Sequence, residues 1–239
     1  MEMQTMTEPA LDRRLLLGGA ALAAAAVATG AAAQSSASQP GKAFAPKPLP
    51  MPFDPTAVPG LSEKLLRSHY DNNYTGAVKR LGAITAQFAA LDPASAPGFV
   101  VNGLKREELI AWNSMILHEL YFSGLGSPRL PGRALASIIE RDCGSDARWR
   151  AEFSGMGKAL GGGSGWVLLV WSHRDQRLAN QWAADHSMTL ANGTPILALD
   201  MYEHAYAIDY GAKSGAYVDA FMNGANWSAA DATFAQATA

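Results

Sequence analysis

The segment LALDMYEHAYAIDYG, residues 197–211, ends an apolar run on a carboxylate, Asp200, and sets an imidazole, His204, four residues further on. A carboxylate in such company is costly unless something pairs with it. Any fold of this chain must therefore bring a partner to Asp200. If Asp200 ends a strand and His204 lies one helical turn beyond, the two side chains can converge on one point. Two pairings satisfy that geometry: an Asp–His hydrogen bond inside a helix cap, or a cation held by both.

Two further histidines fall on apolar stripes. Ser62 can cap a helix running through EKLLRSHYDNNYTGAVKRLGAITAQFAAL. On it Leu65, His69, Asn72 and Gly76 share one stripe. A second helix is expected from about Lys105 to Ser123, where Ala111, Met115, His118 and Phe122 recur at helical spacing. The polar, proline-containing loop between them predicts an antiparallel hairpin, which can aim both imidazoles into one interior. His173 sits beside Arg174 and Asp175 in a turn and reads as a surface residue; His186 lies in the loop ADHSMTL. Three imidazoles and one carboxylate suit iron, manganese or zinc. A structural zinc site would be expected to use thiolates, and the one cysteine, Cys143, reads as a buried thiol.

The remainder supplies a frame for these groups. WVLLVW has the pattern of a buried strand, SHRDQ that of a turn, and RLANQW and PILALD are two more strands. Helical segments precede and follow them. The fold class expected is α+β: an N-terminal antiparallel helical hairpin, then a C-terminal part with a small three-stranded antiparallel sheet and surrounding helices. The chain start reads differently. The pair Arg13 and Arg14, an alanine- and leucine-rich run and the small-residue stretch before Gln34 have the layout of a signal peptide over residues 1–33 of the twin-arginine type, implying export to the periplasm. A Ser- and Pro-rich flexible leader follows over 34–47, then the hairpin over 48–127 and the α/β part over 128–239. Cleavage would leave no membrane segment; left uncleaved, the run would instead be a membrane anchor. A net charge of −2 leaves no basic excess, which argues against nucleic acid as a partner.

LDMYEHAYAIDY resembles the D-x-W-E-H-A-Y signature of the iron/manganese superoxide dismutases. The resemblance extends from about Pro48 to Phe234. LPMPFDP is similar to that family's opening, LRSHYDNNYTGAVKRL to its first ligand helix and ILHELYF to its second. IIERDCGSDARWRAEFSGMG, GSGWVLLV and YVDAFMNGANWSAADATF follow in the family's order. The resemblance implies that His69, His118, Asp200 and His204 bind one iron or manganese ion per subunit, with a solvent-derived fifth ligand. The ion would alternate between +2 and +3 and convert superoxide to dioxygen and hydrogen peroxide. It also implies a homodimer in which Glu203 reaches a ligand histidine of the partner subunit.

Around those ligands the chain departs from the family's pattern. Ala77 stands where the family has a gateway tyrosine, Asn73 where it has a histidine, and Ala207 where it has the tyrosine that pairs with that histidine across the interface. Tyr202 replaces the signature tryptophan, and Leu168 an aromatic residue. The family's glutamine beside the metal-bound solvent comes from one of two places. One corresponds to Ser114, too short to reach; the other to His186, whose imidazole can donate or accept according to its tautomer. These departures leave two alternatives beside dismutation: a metal-binding relative with little such activity, or a different redox activity on the same scaffold.

Overall fold

The structure, a computed structural model, describes residues 41–239, so the stretch expected to be a signal peptide and the first part of the expected leader lie outside the described residues. Residues 41–47 have no regular secondary structure, yet they are held on the helices. Phe44 stacks on Trp112 with ring centroids 5.1 Å apart, and the Thr85 hydroxyl donates to the Phe44 carbonyl at 2.7 Å. No helix among the described residues is long and apolar enough to cross a membrane.

Ser62 caps helix α1 (Glu63–Ser68) by accepting a hydrogen bond from the Leu65 amide at 3.1 Å. The helix then widens into a π-helical stretch, His69–Tyr74, before continuing as α2 (Thr75–Ala90). A π turn inserts residues into the helical repeat and rotates everything that follows. The stripe expected through Asn72 and Gly76 is therefore corrected. Asn72 is exposed and Gly76 half-buried, while Tyr74, Ala77, Val78 and Leu81 face the core. Helix α3 spans Gly98–Ser123, starting well before Lys105. Its first turns, GFVVNGL, carry glycines and β-branched residues that weaken any helical signal, and Phe99 there is 80% exposed. Further on, Ala111, Met115, His118 and Phe122 are all buried, as their spacing predicts.

Helices α4 (Arg133–Cys143) and α5 (Asp146–Ala159) lead into the sheet. Strands β1 (Trp166–Ser172), β2 (Arg177–Ala183) and β3 (Gly193–Asp200) form an antiparallel sheet in the order β2-β1-β3. The expected fold class is thus the observed one. Every residue of β1 is buried, in keeping with a central strand covered on both faces. Gly165 opens β1 at φ +132°, and a Cβ there would lie 2.3 Å from the Ala183 carbonyl oxygen, so glycine is required where β1 meets β2. Trp149 and Phe153 of α5 are fully buried, and the Trp149 indole donates to Asn180 Oδ1 of β2 at 2.9 Å. After β3 come a 3₁₀ turn (Glu203–Ala205), α6 (Ala207–Tyr210), α7 (Ser214–Gly224) and α8 (Ser228–Ala237). Helix α3 packs on both α2 and β3, so the helical and sheet parts meet along α3.

Candidate metal centre

Register places the carboxylate. Asp200 is the last residue of β3 and pairs with Trp166, the first of β1. The chain leaves the sheet there, and the Tyr202 amide turns back to donate to Asp200 Oδ1 at 2.8 Å. Tyr217 of α7 donates its hydroxyl to the Asp200 carbonyl at 2.8 Å. One carboxylate oxygen is thereby committed to the backbone, and the other is left for the histidines.

Three imidazoles converge on that second oxygen. His69 begins the π-helical stretch, His118 lies on α3 and His204 on the 3₁₀ turn. Their Nε2 atoms stand 3.2, 3.6 and 3.2 Å from Asp200 Oδ2, respectively. Donor atoms of the four residues all lie within 4.8 Å of one another. First-row ions bind nitrogen and oxygen at about 2 Å, as zinc does, which puts neighbouring donors about 3 to 4 Å apart. His69, His118 and Asp200 are buried; the His204 side chain is 25% exposed and forms the open side.

The hydrogen bonding fits a cation. His118 Nδ1 lies 2.6 Å from the Ser114 carbonyl oxygen. A carbonyl can only accept, so Nδ1 carries the proton and Nε2 presents its lone pair to the cluster. Both ring nitrogens of His69 and Nε2 of His118 are buried without a hydrogen-bond partner. Orphaned buried nitrogens are costly, and a shared metal ion satisfies the two Nε2 atoms together. Charge state agrees. Burial lowers the His69 imidazole, and burial together with neighbouring His69 pushes His118 down to about 3, so both are neutral donors near pH 7. Burial would raise the Asp200 carboxyl, but His204 and His69 outweigh it and hold the group well below the usual range. Three imidazoles and one carboxylate suit iron, manganese or zinc.

His186 joins this group from the β2–β3 loop. Its ring centroid is 6.1 Å from that of His118, and it stacks on Tyr202 at 4.8 Å and 13°. The Tyr202 ring also lies parallel to that of His204, at 5.4 Å. The Trp166 indole donates to His186 Nδ1 at 2.9 Å. Indole N–H is a donor only, so His186 Nδ1 is the acceptor and any proton on the neutral ring sits on Nε2. The two tautomers open to sequence reasoning thus reduce to one. Burial lowers the His186 imidazole, and burial raises the Tyr202 phenol to about 12, so both rings are neutral near pH 7.

The other singled-out residues fall as follows. Ala77 is buried on α2, Asn73 half-exposed, and Glu203 and Ala207 exposed. Ser114 is buried, and its carbonyl rather than its hydroxyl makes the short contact to His118. His173 is a partial correction: it is half-buried and its Nε2 is 2.7 Å from Thr194 Oγ1, because the hairpin turn folds back on β3. Cys143 is half-buried at the end of α4, where burial pushes its thiol up. Sequence reasoning missed Trp166, Tyr217 and the Ser114 carbonyl. Only Trp166 had a signal, as a large aromatic directly after the GSG turn.

Comparison with known proteins gives one consistent result. Residues 131–233 match the family described as iron/manganese superoxide dismutases, C-terminal domain. The chain is 65% identical over 188 residues to a superoxide dismutase [Fe] of Cupriavidus metallidurans, covering 79% of this chain and 95% of that protein. It is 34% identical over 197 residues to superoxide dismutase [Mn] 1 of Halobacterium salinarum, covering 79% and 94%. It is 30% identical over 191 residues to a superoxide dismutase [Fe] of Aquifex pyrophilus, covering 77% and 88%.

Proposed function

Because this chain belongs to the iron/manganese superoxide dismutases, we propose that it dismutes superoxide at one iron or manganese ion held by His69, His118, Asp200 and His204. The observation that carries this reading is the convergence of three Nε2 atoms on Asp200 Oδ2, with buried ring nitrogens left unpaired. The chemistry such an ion supplies is one-electron exchange: superoxide is oxidised to dioxygen in one half-cycle, and another is reduced to hydrogen peroxide with two protons in the next.

The protein's own residues hold and tune the site. The Tyr202 amide fixes Asp200 Oδ1, and the Ser114 carbonyl fixes the His118 tautomer. His186, with Nδ1 tied to Trp166, offers Nε2–H as its one ring donor, in the role of the family's glutamine. Ala77 supplies no phenol, while His186 and the Tyr202 phenol are protic groups that stand beside the ligands. Sequence identity of 65% to a relative named for iron favours iron over manganese.

The active form is a homodimer in which Glu203, exposed beside half-exposed His204, reaches a ligand histidine of the partner subunit. Residues 1–33 export the folded protein to the periplasm, and changing Arg13 and Arg14 together to lysine is expected to retain it in the cytoplasm on cell fractionation. The function is tested by elemental analysis and a superoxide assay on one purified sample. About one iron or manganese per subunit, with catalysis absent from the metal-free protein, is expected. Metal-loaded protein no faster than the free ion would support instead a metal-binding relative without dismutase activity.

A further inference from the structure

We infer that Asn113 is a positioning residue that sets His186 against the metal ligands. The inference rests on the reading of His186 as a group acting on the bound ion. His186 sits on a nine-residue connection, residues 184–192, that has no regular secondary structure. A ring on such a segment needs external ties to act at fixed distance on a metal ion. Asn113 Nδ2 donates to the His186 carbonyl at 2.6 Å, bridging 73 positions of sequence. Asn113 and His118 lie on one helix, α3, five residues apart. The loop backbone at His186 is therefore tied to the same element that carries a ligand, His118.

Two other contacts complete the hold. The Trp166 indole fixes the ring through Nδ1, and Tyr202 stacks on its face. Each comes from an element that also places Asp200: Trp166 is its strand partner, and the Tyr202 amide binds its Oδ1. The ring thus takes its orientation from the sheet side, while its backbone takes its position from the helix side through Asn113. The neighbouring Ser114 holds His118 Nδ1 chiefly through its carbonyl, at 2.6 Å, with its hydroxyl 3.4 Å from the same nitrogen. Positions 113 and 114 divide the work: one places the loop imidazole and the other fixes the ligand imidazole.

A loop tether that matters only for folding would change stability and nothing else. The test therefore reads the midpoint potential of the bound metal in a double-mutant cycle. Asn113→Leu keeps the approximate shape, adds no charge and removes the amide donor; Asn113→Ala removes both. Each is made alone and in the His186→Ala background, and metal content and thermal midpoint are measured on the same samples. The inference expects both Asn113 variants to shift the potential in the direction that His186→Ala shifts it. It expects neither to shift it further once His186 is gone. A potential unchanged by Asn113 variants while His186→Ala shifts it would overturn the inference and leave the role of His186 standing. Equal shifts in both backgrounds would overturn it too, by showing an effect that bypasses His186. If His186→Ala itself left the potential unchanged, the role of His186 would fall and the inference with it. Dismutation by the wild type would then stand independently.

Discussion

Asp200 shows how one residue can dictate a site. Its carboxylate is fully buried at a strand end, and its two oxygens have separate partners. Oδ1 takes the Tyr202 amide, and Oδ2 faces three imidazoles. This division was half legible. The apolar run and the four-residue spacing to His204 announced a buried carboxylate needing a partner. Nothing in the local sequence showed that the Ser114 carbonyl fixes the His118 tautomer, because a backbone contact leaves no residue signature. The same holds for Asn113, an ordinary polar position on a helix until the β2–β3 loop is folded onto it. Burial of these groups also has a consequence for acid stability. His69 and His118 are held below their ordinary value of 6.5 in the folded apoprotein, His118 down to about 3. Below pH about 6.5 the unfolded chain takes up protons that the folded apoprotein refuses, so stability falls as pH drops from there toward about 3. The slope is about 1.4 kcal/mol per pH unit for each such proton. Asp200 adds to the loss further down: its contribution is present above the ordinary 3.8 and disappears as pH falls below it. Urea titrations of the apoprotein at pH 7.5, 6 and 5 should show midpoints declining together with pH. A midpoint constant across that range would contradict the burial of neutral imidazoles.

At the scale of elements, the π-helical stretch His69–Tyr74 is what sequence periodicity could not show. A stripe drawn at regular helical spacing runs through Asn72 and Gly76. The wider turn instead lets His69 face the ligands while Tyr74, Ala77 and Leu81 face the core. The second helix gave up its buried stripe correctly but not its start, since glycine and valine in GFVVNGL carry no helical pattern. The three strands were legible because each is short, apolar and bounded by turns. Their order was not, since nothing local says that β3 pairs with β1 rather than β2. The joint between β1 and β2 is the most sensitive point in this frame. Gly165→Ala is expected to cost about 2 kcal/mol or more, because its Cβ would meet the Ala183 carbonyl and its φ is unfavourable to side chains. Trp166 follows directly, so the same change should loosen the hold on His186 and Asp200. Denaturant unfolding and metal content, measured together, check both effects; a variant as stable as the wild type would contradict the packing described.

For the whole molecule, the open side of the site is the side that carries Glu203. His204 is 25% exposed there and Ile208 44%. A second copy seated on this face would cover the open imidazole and bring Glu203 to its partner's ligands. Light scattering on the metal-loaded protein should give about twice the mass of one chain, and Glu203→Ala should shift the equilibrium toward monomer and weaken metal retention. A monomer of full activity would remove the interface from the account. Such a dimer would have to form without the histidine–tyrosine pair expected of the family, since Asn73 and Ala207 occupy those positions.

The central claim is that the His69–His118–Asp200–His204 cluster holds the ion that turns superoxide over. Pulse radiolysis of the metal-quantified mature protein beside its His118→Ala variant tests it most directly. The account predicts catalytic decay of superoxide, many equivalents per bound metal, in the wild type. It predicts decay at the buffer rate for the variant, which should retain no metal. Equal decay in the two proteins, or none beyond the free ion in a fully loaded wild type, would contradict it.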